Sequence, residues 1–172
     1  MKKIVTFMIP LLILAFVGYR YYRHFEEQFS VENIEGFLRT QIIDSYAGRD
    51  ETACNAFSDD VEVTIAVHSP QGDETIKGGK EDICLFMRRA AAPFSASGAQ
   101  AATALEGLEV NPSSFPWLTA EVRYLLRTSV TAPGNPVPLM TRVHESRATL
   151  RRGLSDIHIS KLDAKVSIHL SE

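Results

Sequence analysis

Between residues 45 and 65 the chain reads SYAGRDETACNAFSDDVEVTI, and three structural signals follow one another without a gap. Gly48 suits the left-handed end of a preceding helix, and Asp50 can cap a short second helix carrying Ala53, Cys54 and Phe57. After SDD, Val61, Val63, Ile65 and Val67 alternate with Glu62, Thr64, Ala66 and His68, the period of a strand buried on one face. A helix stop, a short helix and a one-sided strand in immediate succession commit the chain to packing helices on a sheet. The class is therefore α+β.

The flanking segments extend this pattern. Ser30 is placed to cap a helix over residues 31–47, with Ile34, Phe37, Leu38, Ile42 and Tyr46 recurring at helical spacing. SPQGDE is a turn, and ETIK a short returning strand that ends at Gly78-Gly79. Ile83, Phe86, Met87, Ala90 and Ala91 then give a third helix an apolar face. Glu81 and Asp82 in its first turn and Arg88 and Arg89 in its last complement the helix dipole, and Pro93 is expected to close it.

The second half reads as strands over 101–111, 117–130, 139–151 and 154–168, with APGNPVP at a hairpin corner. In the second of these, Leu118, Ala120, Val122, Tyr124 and Leu126 lie on one side and Thr119, Glu121, Arg123 and Arg127 on the other. In the last, apolar parity passes from Ile157 and Ile159 to Leu162, Ala164, Val166 and Ile168, which predicts a bulge and a bend.

At the N-terminus, residues 4–19 contain no charge, follow Lys2 and Lys3, and precede Tyr21, Tyr22, Arg20 and Arg23. Positive charge, apolar run and aromatic belt in that order are what a membrane-spanning helix needs. The expectation is an uncleaved anchor over residues 1–24 and one domain over 25–172, placed extracytoplasmically, in the periplasm of a bacterium. A cleavable signal peptide is the competing reading, although Ala15 and Gly18 are badly spaced for a cleavage site. Of the 18 Lys+Arg, four flank the apolar run; the remaining 14 face 21 Asp+Glu, a balance of −7. That balance disfavours a nucleic-acid partner, which needs clustered positive charge.

Candidate chemistry is sparse. Cys54 and Cys84 could pair in an oxidising compartment or stand as two small buried hydrophobes. Thirty residues apart and without a CxxC or HxxxH companion, they do not make a metal site. His68, His158 and His169 lie on separate strands without ligand spacing, and Asp59-Asp60 reads as a strand entry. Glu106 shares parity with Ala104, Leu108 and Val110, and His144 with Met140, Ala148 and Leu150, so an inward carboxylate could meet an inward imidazole. The competing reading for both is a strand end or a hydrogen-bonded core position. Tyr46 and Tyr124 read as core aromatics that can also line a pocket.

The order helix, short helix, hairpin, helix, long strands resembles the NTF2-like superfamily, which includes SnoaL-type cyclases and ketosteroid isomerases. The residues carrying the likeness are Tyr46, Gly48 and Asp50 in YAGRD, Phe57 to Val63 in FSDDVEV, and Gly78-Gly79. It implies a cystatin-like cone of three helices on a long, curved antiparallel sheet over about residues 30–170. Isomerases of the superfamily place a tyrosine on the first helix and an aspartate near the end of the first strand. The matching positions fall near Ile42 and Ile65, or Gln41 and Thr64 with a slip of one, and none of these abstracts a proton. No catalytic residue, cofactor or metal is therefore expected. The preferred reading is a binding or assembly module of the cell envelope, meeting a protein partner or a second copy through its sheet face. The alternative is an enzyme or carrier taking a small apolar molecule into the cone, with Tyr46, Glu106, Tyr124 and His144 as its pocket candidates.

Overall fold

The computed structural model describes residues 12–20, 27–46, 50–97, 99–114, 118–134, 137–153 and 156–170, without the side chains at 43, 44, 46, 50, 51 and 90–97. Residues 12–20 are helical, and Leu12, Ile13, Leu14, Phe16 and Val17 are all exposed. Most of the expected anchor, residues 1–11 and 21–24, lies outside the described residues. Among the described residues no helix is long and apolar enough to cross a membrane.

Helix α1, Val31–Tyr46, begins where Ser30 accepts the Asn33 N–H on its Oγ at 3.3 Å and the Ile34 N–H on its carbonyl at 3.1 Å. Its inner face is Ile34 and Leu38, both fully buried. Helix α2, Asp50–Asn55, is a turn and a half long, and Phe57, expected on it, instead opens strand β1, Phe57–Ser69. The Ala56 N–H bonding back to Ala53 ends α2, and the Ala56 carbonyl accepts the Ile159 N–H at 2.8 Å, so the chain is already in the sheet at Phe57.

Strand β2, Gly72–Gly78, returns along β1 and is longer than ETIK alone. Helix α3, Lys80–Ser97, starts at Gly79, whose N–H is accepted by Asp82 Oδ2 at 2.9 Å in half of a capping box. It does not stop at Pro93 but runs on to Ser97. Proline deletes one hydrogen bond of the helix ladder, and the alanine-rich run AAAPFSAS offers helix formers before it.

Four long strands follow: β3 Gln100–Pro112, β4 Thr119–Thr131, β5 Pro138–Arg152 and β6 Ile157–Leu170. The single sheet has the order β2-β1-β6-β5-β4-β3. The chain leaves the β1–β2 hairpin, crosses through α3 to the far edge and meanders back until β6 lies beside β1. That last pairing is parallel, so the sheet is not wholly antiparallel as expected. Helices α1, α2 and α3 contact one another, and α1 and α3 pack on strands of this one sheet.

Two bulges bend the sheet around the helices. In β6, Lys161 pairs with Thr149 and Ile159 with Leu150, leaving Ser160 extra, which is the bulge the parity change predicts. In β3 the register shifts between Glu106 and Glu109 at Gly107, whose φ of 59° is a left-handed value that favours glycine. Beneath the helices the floor is tightest at Ala120, Val122, Ala148, Leu150 and Ile159, each at most 1% exposed. Leu118, expected on that inner face, precedes β4 and is exposed.

Candidate functional site

Away from that tight end, helices and sheet diverge and leave a half-open cavity of about 660 Å³. Its size lies within the range of roughly 300–1,000 Å³ usual for small-molecule sites. Period two along each strand supplies the floor: Ile65 and Val67 from β1, Ala164 and Val166 from β6, His144 and Ser146 from β5, Tyr124 and Leu126 from β4. The opposite wall is Leu38, Gln41, Ile42 and Ser45 of α1 with Ile83, Phe86 and Met87 of α3. Glu74 and Lys77 of β2, Asp82 and Arg89 of α3 and Arg142 of β5 add charge to the lining. Ile42 and Ile65 both face this space, as does Gln41, whereas Thr64 lies on the other side of the sheet.

The polar groups of the floor differ in how they are satisfied. Tyr124 is buried, stands across the ladder from Ser146, and has its phenol pushed up to about 12 by burial. Thr128, 1% exposed, pairs its hydroxyl with Thr103 at 3.0 Å. On the helix side, Ser45 donates to the Gln41 carbonyl at 2.9 Å. His144 is different: among the described residues its buried Nε2 finds no hydrogen-bond partner. Burial, and then the neighbouring Arg142 charge, push this imidazole down to about 4, so it is neutral at pH 7.

Of the residues singled out in the sequence, Tyr124 and His144 line the cavity and Glu106 does not. Gly107 reverses the parity of β3, so that Leu105 and Leu108 turn toward the helices while Glu106 is exposed beside Arg127, 3.7 Å away. Glu106 and His144 therefore do not meet. Tyr46 ends α1, and its side chain lies outside the described residues. Cys54 and Cys84 are joined in a disulfide, with a Cα separation of 5.7 Å, and tie α2 to α3. Among the described residues no group of His, Cys, Asp or Glu gathers to hold a metal ion. Arg142 was missed in the sequence, although it stands two residues before His144 on the same face of β5.

The opposite face of the sheet is a lattice of charge. Glu121 meets Arg123 at 3.1 Å and Arg147 at 3.2 Å, while Arg147 stands across the ladder from Asp163, and Glu145 from Lys165. At one end, Asp60 pairs with Arg151 and Asp59 with Lys80, and both carboxyls are held below the usual range by those cations.

No family model matches the sequence, and no curated protein matches it. Solved structures do. The chain is similar to Aln2 from a Streptomyces species, at 20% identity and a TM-score of 0.63, over 79% of this chain and 91% of that one. It is similar to the beta subunit of the benzoate 1,2-dioxygenase from Burkholderia mallei, at 10% identity and a TM-score of 0.60, over 81% and 91% of the two chains. It is also similar to an NTF2-like protein of unknown function from Pseudomonas putida, at 12% identity and a TM-score of 0.56, over 79% and 84%. Likeness at such identities speaks for backbone architecture and not for activity. The cone of three helices on a six-stranded, bulged sheet is the NTF2-like α+β fold.

Proposed function

We propose that this chain is a membrane-tethered NTF2-like domain that binds a small, largely apolar molecule in the cavity between helices and sheet. The observation that carries the reading is the cavity itself: about 660 Å³ walled mainly by Ile, Leu, Val, Phe and Met, with one buried imidazole nitrogen on its floor that has no partner among the described residues. An apolar body with a single polar end satisfies both features. Binding is favoured over catalysis because Glu106, the carboxylate expected beside His144, is on the other face of the sheet. Docking of a protein partner or a second copy on the open sheet face is less favoured. That face satisfies its charges internally, and the core of an interface is usually depleted in charge.

Support for the tether is the uncharged run over residues 4–19 and the exposed apolar side chains of residues 12–17. Support for an extracytoplasmic site is the Cys54–Cys84 disulfide, a bond that persists in oxidising compartments.

A thermal-shift panel of hydrophobic small molecules tests the cavity, with Ala164→Trp as the filled control, since Ala164 lines the space from β6. A ligand at a hundred times its Kd should add about 2.7 kcal/mol of stability to the wild type and nothing to the variant. A panel in which nothing stabilises the wild type overturns the reading. For the tether, protein that washes from membranes at high pH would count decisively against it.

A further inference from the structure

We propose that the cavity selects amphiphiles with an anionic head, a carboxylate above all, which is held at Arg142 and His144 while the apolar body lies against Ile65, Leu38 and Met87. The proposal rests on the reading of this cavity as a binding site and adds the chemistry of the ligand.

The polar end is located at His144. Ser45 is engaged with Gln41 and Thr128 with Thr103, whereas His144 Nε2 lies buried without a partner among the described residues. A polar ligand atom gains most where it completes a buried group left unsatisfied. The sign of the head follows from the charges that line the space. Arg142 precedes His144 by two residues on the same strand face, which sets their Cα atoms roughly 7 Å apart, and its Nε is shielded from solvent.

The elements facing His144 bring little that would repel an anion. On β4 and β6 its direct neighbours across the ladder are Leu126 and Val166, and β1 contributes Ile65 and Val67. From the helices, α1 brings Gln41 and Ser45 and α3 brings Asp82 and Arg89; β2 brings Glu74 and Lys77. Glu74, Asp82, Lys77 and Arg89 are all exposed, Asp82 already accepts the Gly79 N–H, and Arg142 is the more buried charge beside His144. Arg142, Lys77 and Arg89 thus outnumber Glu74 and Asp82 in a domain whose balance is otherwise acidic. A guanidinium with a shielded Nε meets a carboxylate through short, charge-assisted bonds, and a neutral imidazole N–H can supply one more. A cationic head would instead face Arg142 directly.

The test uses the full chain in lipid nanodiscs and isothermal titration with 4-phenylbutyrate, 4-phenylbutanol and 4-phenylbutylamine, which share one apolar body, after subtraction of blank nanodiscs. The acid should bind at least about tenfold more tightly than the alcohol, with the amine weakest, a spread of about 1.4 kcal/mol per decade. Arg142→Met should bring the acid to the level of the alcohol and leave the alcohol unchanged, while Arg142→Lys, which retains the charge and checks that the site still folds, should keep a preference for the acid. Equal binding of acid and alcohol by the wild type, or an Arg142→Met effect of the same size on both, overturns the assignment of the head and leaves the cavity reading standing. Failure of all three probes to bind the wild type removes both.

Discussion

Tyr124 stands directly across the β4–β5 ladder from Ser146, and both line the cavity floor. Tyr124 is 9% exposed and Ser146 equally buried, which places their two hydroxyl-bearing side chains side by side and away from bulk water. Tyr124→Phe should cost about 1 kcal/mol, and up to about 2 if Ser146 is left unpaired. Urea denaturation with an unchanged m-value would register it. A variant as stable as the wild type would show that the two hydroxyls contribute no bond to stability.

The buried imidazole gives stability a pH dependence of definite sign. His144 titrates near 4 in the folded protein against an ordinary value of 6.5, because burial first and Arg142 second oppose its charge. Between those values the unfolded chain holds a proton that the native one lacks, so stability is complete above pH 6.5 and falls as pH drops toward 4. At pH 5 the loss amounts to about 2 kcal/mol relative to neutral pH. His144→Leu should remove this component, which the difference between wild-type and variant denaturation midpoints at pH 7 and pH 5 will report. Parallel curves for the two proteins would place the imidazole in water.

Much of the fold was legible because its signals are local. The Ser30 cap, the alternation of Val61, Val63 and Ile65, and the parity change of the last strand each appear as read, the last as the bulge at Ser160. The same device went unseen in β3. There a single large apolar residue, Leu105, precedes Gly107 against Leu108 and Val110 after it, too short a run to expose the slip, and counting by two through Gly107 turned Glu106 inward. Arg142 escaped for a different reason. An arginine on an apolar parity reads as a strand-end residue until the opposite wall is known, and that wall comes from α1 and α3, far away in sequence.

Gly78 is needed for space. A Cβ there would run into the Asp82 carboxylate, which caps the first turn of α3 by accepting the Gly79 N–H. Gly78→Ala should displace that cap and cost about 1 kcal/mol, the usual loss when a helix N-terminus is uncapped. Asp82→Ala should cost a similar amount, and because both changes remove the same bond, the double variant should fall well short of their sum. Full additivity in denaturation measurements would mean that the two residues act independently.

The disulfide connects the cavity to the rest of the helical layer. Cys84 sits on α3 between Ile83 and Phe86, two residues of the cavity wall, and its partner Cys54 fixes it to α2, 30 residues earlier. Closing a loop of that length removes conformational freedom from the unfolded chain worth about 3–4 kcal/mol in the chain-entropy picture. Both cysteines are buried in the core, so Cys54→Ala with Cys84→Ala also loses packing, and the double variant should unfold several degrees below the wild type. Its effect should reach the cavity. With the tie gone, α3 keeps its contacts with β1, β2 and the other helices but loses its covalent hold, so a ligand that stabilises the wild type should bind the variant more weakly. Reduction of the wild-type protein should reproduce both changes, and reoxidation should reverse them. Ligand affinity unchanged on reduction, alongside a lowered unfolding midpoint, would show that α3 keeps the wall in place without the bridge.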